Sequence, residues 1–163
     1  TNDFGLDGLQ LGTVFGSEGM LFAALNLVAG HSFDKTNKLA LFAALSIMVS
    51  GCFQVYTAYA DSFASLLSIR LAHTVGDAFF LVVRGILISL VFPSKRMGGN
   101  FGFIYAVNTA AITVASLISG FLSDRYGYGF PFIVSGLIVV VLAITLLFMK
   151  NRMEKMLICN ETR

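Results

Sequence analysis

The stretch SIRLAHTVGDAFFLVVRGILISL, residues 68–90, is long and apolar enough to cross a membrane, yet it carries four ionisable side chains. A transmembrane helix needs about 20 consecutive, predominantly apolar residues. The ionisable residues are spaced by 3, 4 and 7 positions, which places them on one stripe of a helix; they are Arg70, His73, Asp77 and Arg84. Because a charge at the centre of a bilayer costs at least about 2.5 to 3.5 kcal/mol, we expect this stripe to face an aqueous cavity or a partner helix.

The chain as a whole has the composition of a membrane protein. Of its 163 residues 56% are hydrophobic and only 12% are charged, and the mean hydropathy is +0.82. The net charge of +2 gives no reason to expect a nucleic-acid partner. With two cysteines, and with no nucleotide-binding glycine loop, catalytic triad or metal-ligand pattern in the sequence, we expect no cofactor, no metal and no enzymatic activity.

Five apolar runs along the chain reach the length of a membrane span. They cover residues 9–30, 39–60, 65–92, 99–122 and 129–149. The connections between them are short and polar, and backbone in lipid must satisfy its own hydrogen bonds. We therefore expect an all-α, polytopic helical bundle over residues 9–149.

Basic residues outside these spans lie almost entirely on one side of the five-span arrangement. The opposite side has only Arg125, whereas the basic side has Lys35, Lys38, Lys95, Arg96, Lys150, Arg152, Lys155 and Arg163. Loops rich in lysine and arginine stay in the cytoplasm. We expect a multi-pass protein of a cell or inner membrane, with residues 1–8 outside and residues 150–163 as a cytoplasmic tail.

Three segments resemble, in order, motifs of the major facilitator superfamily. GHSFDKTNK, residues 30–38, resembles the G-x-x-x-D-x-x-G-R-K signature, with Asn37 where glycine is usual. RLAHTVGDA, residues 70–78, is similar to the R-x-x-Q-G-x-G-x-A signature of a cavity-lining helix, with His73 in place of the glutamine. FPSKRMGGNFGF, residues 92–103, resembles the cytoplasmic loop that precedes the next helix.

This resemblance implies a protein of two six-helix halves, each of which contains the five-span pattern after its first helix. The chain then corresponds to helices two to six or to helices eight to twelve. We favour helices eight to twelve, because VNTAAITVASLISG, residues 107–120, lacks the G-P signature of the fifth helix of many exporters and residues 150–163 read like a C-terminus. We accordingly expect the chain to begin inside a longer protein and to have the remaining half, or another chain, as its partner.

Secondary active transport of a small polar or anionic solute by alternating access, coupled to protons, is the function that the resemblance implies. The expected substrate-binding residues are Arg70, Arg84 and Asn108, because arginine forms strong hydrogen bonds with carboxylate and phosphate. The expected proton-coupling residues are Asp77, His73 and Glu18, because buried carboxyl groups can exchange protons near neutral pH. The expected conformational latch is Gly30, Asp34 and Lys38.

Other interpretations of the same residues remain open at this point. Arg70 and Arg84 could extend to the two membrane surfaces, and Asp77 could pair with His73 only to hold helices together. Glu18 is equally consistent with a protonated packing residue. A non-transporting scaffold, whose charged helix face binds a partner helix, is the alternative function; a membrane-embedded enzyme would need a nucleophile or metal site that the sequence does not show.

Replacing Asp34 by Asn is expected to shift the balance between inward-open and outward-open states and to slow transport, with little loss of folded protein. The physical reason is that Asp34 meets a helix N-terminus or an arginine in only one conformation. Cysteine accessibility on the two sides of the membrane measures the shift. Unchanged accessibility together with normal flux would make residues 30–38 an ordinary turn.

Overall fold

A computed structural model describes residues 6–33, 36, 38–92 and 96–161, with side chains described as far as residue 155. Within these residues the chain forms five α-helices, each long and apolar enough to cross a membrane. They are α1 Gly8–Phe33, α2 Leu39–Thr57, α3 Phe63–Val91, α4 Met97–Tyr126 and α5 Gly129–Glu161. The expected all-α membrane bundle is confirmed.

The helices extend beyond the apolar spans at several ends, because helical hydrogen bonding continues where the chain meets water. The helix α5 runs on past residue 149 to Glu161, through the segment expected to be a tail. The start of α3 is fixed by Ser62, whose hydroxyl accepts a hydrogen bond from the Ser65 amide at 3.3 Å. The end of α4 is fixed by Gly127, whose φ of 89° is favoured by glycine.

Two glycines hold α2 tightly between α3 and α5. A Cβ atom built on Gly76 of α3 would lie 2.6 Å from the carbonyl oxygen of Ser46 and 2.6 Å from the amide nitrogen of Ser50. A Cβ atom on Gly136 of α5 would lie 2.8 Å from the carbonyl oxygen of Gly51. The backbones therefore touch directly, as small residues allow helices to do in membranes.

The remaining two helices are attached differently. The helix α1 packs on α3, and at the C-terminal end of α1 the ring of Phe33 lies edge-on to Phe42 of α2 at 5.2 Å and to Phe79 of α3 at 5.8 Å. The helix α4 contacts mainly α5, and none of its 30 residues is buried. The polar side chains that line the candidate functional site come from the other helices, α1, α2 and α3.

Replacing Gly76 by Ala is expected to push α2 and α3 apart, because the new Cβ atom would meet backbone atoms that cannot move independently. We expect the free energy of unfolding to fall by about 1 to 3 kcal/mol. Gly85 on the same helix is a matched control, since a Cβ atom at that position would have no atom of another described helix within 4 Å. For Gly85→Ala we expect unchanged stability or a gain of up to about 1 kcal/mol. Equal effects on thermal unfolding in detergent would contradict the close contact.

Candidate functional site

A cavity of about 350 Å³ lies between α1 and α3. The helix α1 contributes two aromatic rings, a glycine and one carboxylate to its wall, whereas α3 contributes three ionisable side chains and a threonine. The lining residues are Phe15, Glu18, Gly19, Phe22, Arg70, His73, Thr74 and Asp77. Three of the four residues of the ionisable stripe thus share one cavity with Glu18.

Arg70 and Glu18 form a bidentate ion pair across this cavity. The Nε atom of Arg70 donates to Oε1 of Glu18, and Nη2 donates to Oε2 at 3.0 Å. The two side chains are only 23% and 13% exposed. Two parallel, charge-assisted hydrogen bonds are a strong arrangement, and each charge compensates for the burial of the other. The pair therefore joins α1 to α3 by electrostatic attraction.

His73, Asp77 and Ser50 form a second polar group at the same cavity. Nδ1 of His73 lies 3.4 Å from Oδ2 of Asp77, one helical turn away. The Ser50 hydroxyl of α2 donates to Oδ1 of Asp77 at 2.6 Å and also lies 3.2 Å from Nε2 of His73. The contact between His73 and Asp77 within α3 is thus present, and Ser50 of α2 completes the group.

Ser50 was not among the site residues expected from the sequence. The sequence shows that it is a polar residue in an apolar helix, but its role depends on how α2 is placed along α3. That placement is set by Gly76, whose missing side chain lets the Ser50 backbone approach. The feature of the sequence that could have pointed to Ser50 was therefore Gly76, the glycine in the motif of residues 70–78.

Other residues expected at the site lie elsewhere. Arg84 is seven residues beyond Asp77, about 10 Å farther along the helix axis, and it is not part of the cavity wall. Asn108 lies on α4, whose contacts are mainly with α5. Gly30 is in the last turn of α1, and Lys38 is exposed just before α2. Asp34 lies outside the described residues.

A second cavity of about 350 Å³ borders the ion pair from the side of the α1 N-terminus. Its wall is mostly apolar and is built by four helices; the lining residues are Leu11, Val14, Phe15, Thr57, Leu66, Arg70 and Phe132. Arg70 belongs to both cavities. The ion pair therefore stands between an apolar space and the space that contains His73 and Asp77.

The sequence profile of the Major Facilitator Superfamily matches residues 1–157, nearly the whole chain. The chain belongs to the major facilitator superfamily. This match confirms the family that the motifs of residues 30–38 and 70–78 predicted.

Two curated proteins of known or assigned transport function are similar to this superfamily member. A probable galactarate/D-glucarate transporter of Bacillus subtilis is 25% identical over 149 residues, which cover 88% of this chain and 32% of that protein. A lysosomal dipeptide transporter of Homo sapiens is 23% identical over 161 residues, which cover 94% of this chain and 33% of that protein. The chain thus spans about a third of the length of these relatives. No solved structure matches it significantly.

Replacing Glu18 by Gln is expected to leave the Arg70 guanidinium without its anion while keeping the size of the side chain. Because the pair is partly exposed to the cavity, we expect a loss of up to about 3 kcal/mol, the lower limit for a fully buried pair. Adding Arg70→Gln removes the remaining charge and should restore most of the lost stability. Thermal unfolding of both single variants and the double variant measures this. Losses that simply add would show that the two side chains act separately.

Proposed function

We propose that the protein containing this chain is a secondary transporter that moves a small anionic or polar solute by alternating access, coupled to protons. Membership of the superfamily and the names of its relatives support transport in general. The observation that carries the finer proposal is the Arg70–Glu18 pair beside His73 and Asp77 in one cavity. A cation, two carboxylates and an imidazole are there within a single solute-sized space.

Arg70 is the residue proposed to bind the solute. Its guanidinium group already holds a carboxylate in bidentate geometry, that of Glu18, and a solute carboxylate would fit the same donors. The Bacillus subtilis relative is named for galactarate and D-glucarate, which are dicarboxylates, and the human relative for dipeptides, which have one terminal carboxylate. A carboxylate is the group that these solutes share.

Glu18 is proposed to link solute binding to proton uptake. In the observed arrangement Glu18 occupies two donors of Arg70. A proton on Glu18 removes its negative charge, which frees the guanidinium to bind a solute carboxylate in its place. The net charge around Arg70 is the same before and after this exchange. Proton uptake and anion binding therefore favour each other.

Asp77 and His73 are proposed as the second proton-binding group. The Asp77 side chain is 47% exposed, so protons can reach it from the cavity, whereas His73 is 13% exposed. Both lie near the middle of α3, which begins at Phe63 and ends at Val91. A proton bound there lies near the middle of the membrane. Alternating access opens a site at this depth first to one side of the membrane and then to the other.

The remaining assignments belong to the complete transporter. Arg84 and Asn108 would contribute to solute binding when further helices close the cavity, and residues 30–38 would act as the latch. We also propose that the chain corresponds to helices eight to twelve with a cytoplasmic C-terminus. The alternative of a scaffold that binds a partner helix is less favoured, because Arg70 and Asp77 find partners within this chain.

Replacing Asp77 by Asn is expected to abolish proton-driven accumulation and to leave equilibrative exchange largely intact. Exchange requires that the site open alternately to the two sides of the membrane, but it does not require that the site lose its proton. Uphill uptake and counterflow of radiolabelled D-glucarate, and of a radiolabelled dipeptide, in vesicles containing the full-length protein measure the two modes.

Asp61→Asn is the matched control, because Asp61 is exposed in the connection before α3. It should leave both modes unchanged. If Asp77 only holds helices together, Asp77→Asn would lower uphill uptake, counterflow and folded yield in parallel, and a second neutral substitution at His73 would restore them. That pattern would contradict the coupling role.

A further inference from the structure

Among the described residues of α2, Ser50 is the one whose hydroxyl contacts both His73 and Asp77. The hydroxyl oxygen lies 2.6 Å from Oδ1 of Asp77 and 3.2 Å from Nε2 of His73, and Ser50 itself is 8% exposed. We propose that Ser50 is a positioning residue that makes the strength of the α2–α3 contact depend on the protonation of the His73–Asp77 pair. Its meaning for transport rests on the proposed function, but the contact itself does not.

The protonated pair satisfies every contact in this group of three residues. There are three contacts, and each needs one hydrogen atom. The Ser50 hydroxyl donates to Oδ1 of Asp77, so the oxygen of Ser50 is free to accept from Nε2–H of His73. The third hydrogen is on Nδ1 of His73, which faces Oδ2 of Asp77 at 3.4 Å. In this state Ser50 holds α2 to α3 through two hydrogen bonds.

Loss of one proton leaves two hydrogen atoms for the same three contacts. The pair gives up one proton to water, which reaches it through the partly exposed Asp77 carboxylate, and the hydrogen lost in the net change is the one on Nε2 of His73. The remaining ring hydrogen is held at Nδ1, where it faces the carboxylate, so that Nε2 becomes an acceptor. The single hydroxyl hydrogen of Ser50 can then serve Asp77 or His73, but not both. Ser50 therefore holds α2 to α3 through one hydrogen bond.

Charged groups on the neighbouring helices do not replace Ser50 in this role. The charges that act on His73 are those of Asp77 and Arg70 on α3 and of Glu18 on α1. Arg70 and Glu18 are occupied with each other. The helix α2, Leu39–Thr57, has no charged side chain. Ser50 is thus the group through which α2 responds to the pair, and Gly76 keeps it within reach.

Thermal unfolding of the full-length protein in detergent, without added solute, tests this inference from about pH 5 to about pH 9, a range that brackets the ordinary titration of histidine. Ser50→Ala removes two contacts at low pH and one at high pH. We expect it to lower Tm about twice as far at the acidic end as at the alkaline end. Ser46→Ala is the control, because Ser46 is buried on the same helix and, in the part of the chain that the structure describes, its hydroxyl bonds only to the Phe42 carbonyl. Its effect should be the same at every pH.

Two further variants separate hydrogen bonding from packing. Ser50→Cys keeps a side chain of similar size but donates weakly, so it should follow Ser50→Ala. In a background that carries both His73→Gln and Asp77→Asn, neither member of the pair can gain or lose a proton, so the effect of Ser50→Ala should no longer depend on pH. A pH-independent loss in Ser50→Ala, or wild-type behaviour of Ser50→Cys, would overturn the inference. Because no solute is used, absence of uptake in vesicles would count against the proposed function alone.

Discussion

The backbone contact between α2 and α3 at Gly76 is the constraint on which the rest of the structure depends. In lipid, helices gain little from burying apolar surface against each other, so close packing and hydrogen bonds hold them together. The absence of a side chain at Gly76 allows the Ser46 and Ser50 backbone to approach within contact distance. The same approach places the Ser50 hydroxyl on Asp77. On its other side α2 meets Gly136, so α3, α2 and α5 form one tightly packed layer.

The helix α1 is attached to this layer in a different way, and the difference matters for motion. Its link at the level of the cavity is the ion pair between Glu18 and Arg70, and its link at the other end is the ring of Phe33. A glycine contact between backbones does not respond to charge, whereas an ion pair disappears when its carboxylate takes up a proton. Protonation of Glu18 therefore acts between α1 and α3, protonation of the His73–Asp77 pair would act on the Ser50 contacts between α2 and α3, and the packing of α2 on α5 is left unchanged.

Particular residues show how far the sequence predicts this arrangement. Hydropathy predicts five helices because each apolar run must span the bilayer, and a spacing of 3 and 4 residues predicts that Arg70, His73 and Asp77 share one face. The same rule predicts which face of α3 carries Arg84 but not that it lies outside the cavity. Seven residues make about two full turns, so Arg84 lies on the same face as Asp77 but about 10 Å farther along the helix axis. The partner of Glu18 and the role of Ser50 depend on how helices are placed along each other. That placement is decided by contacts such as Gly76, which single-helix periodicity does not describe.

The charges in the cavity explain why anion transport and proton uptake would go together in the proposed function. Arg70 is positive, Glu18 and Asp77 are negative when ionised, and His73 is neutral or positive, so the formal sum is −1 with neutral His73 and zero with protonated His73. An anion entering the first state would place two net negative charges in a space of low dielectric, which is strongly unfavourable. Each proton taken up by Glu18 or by the His73–Asp77 pair removes one of these charges. In the proposed function a dicarboxylate would therefore need more protons than a zwitterionic dipeptide, and the number of protons per solute would follow from the charge of the solute.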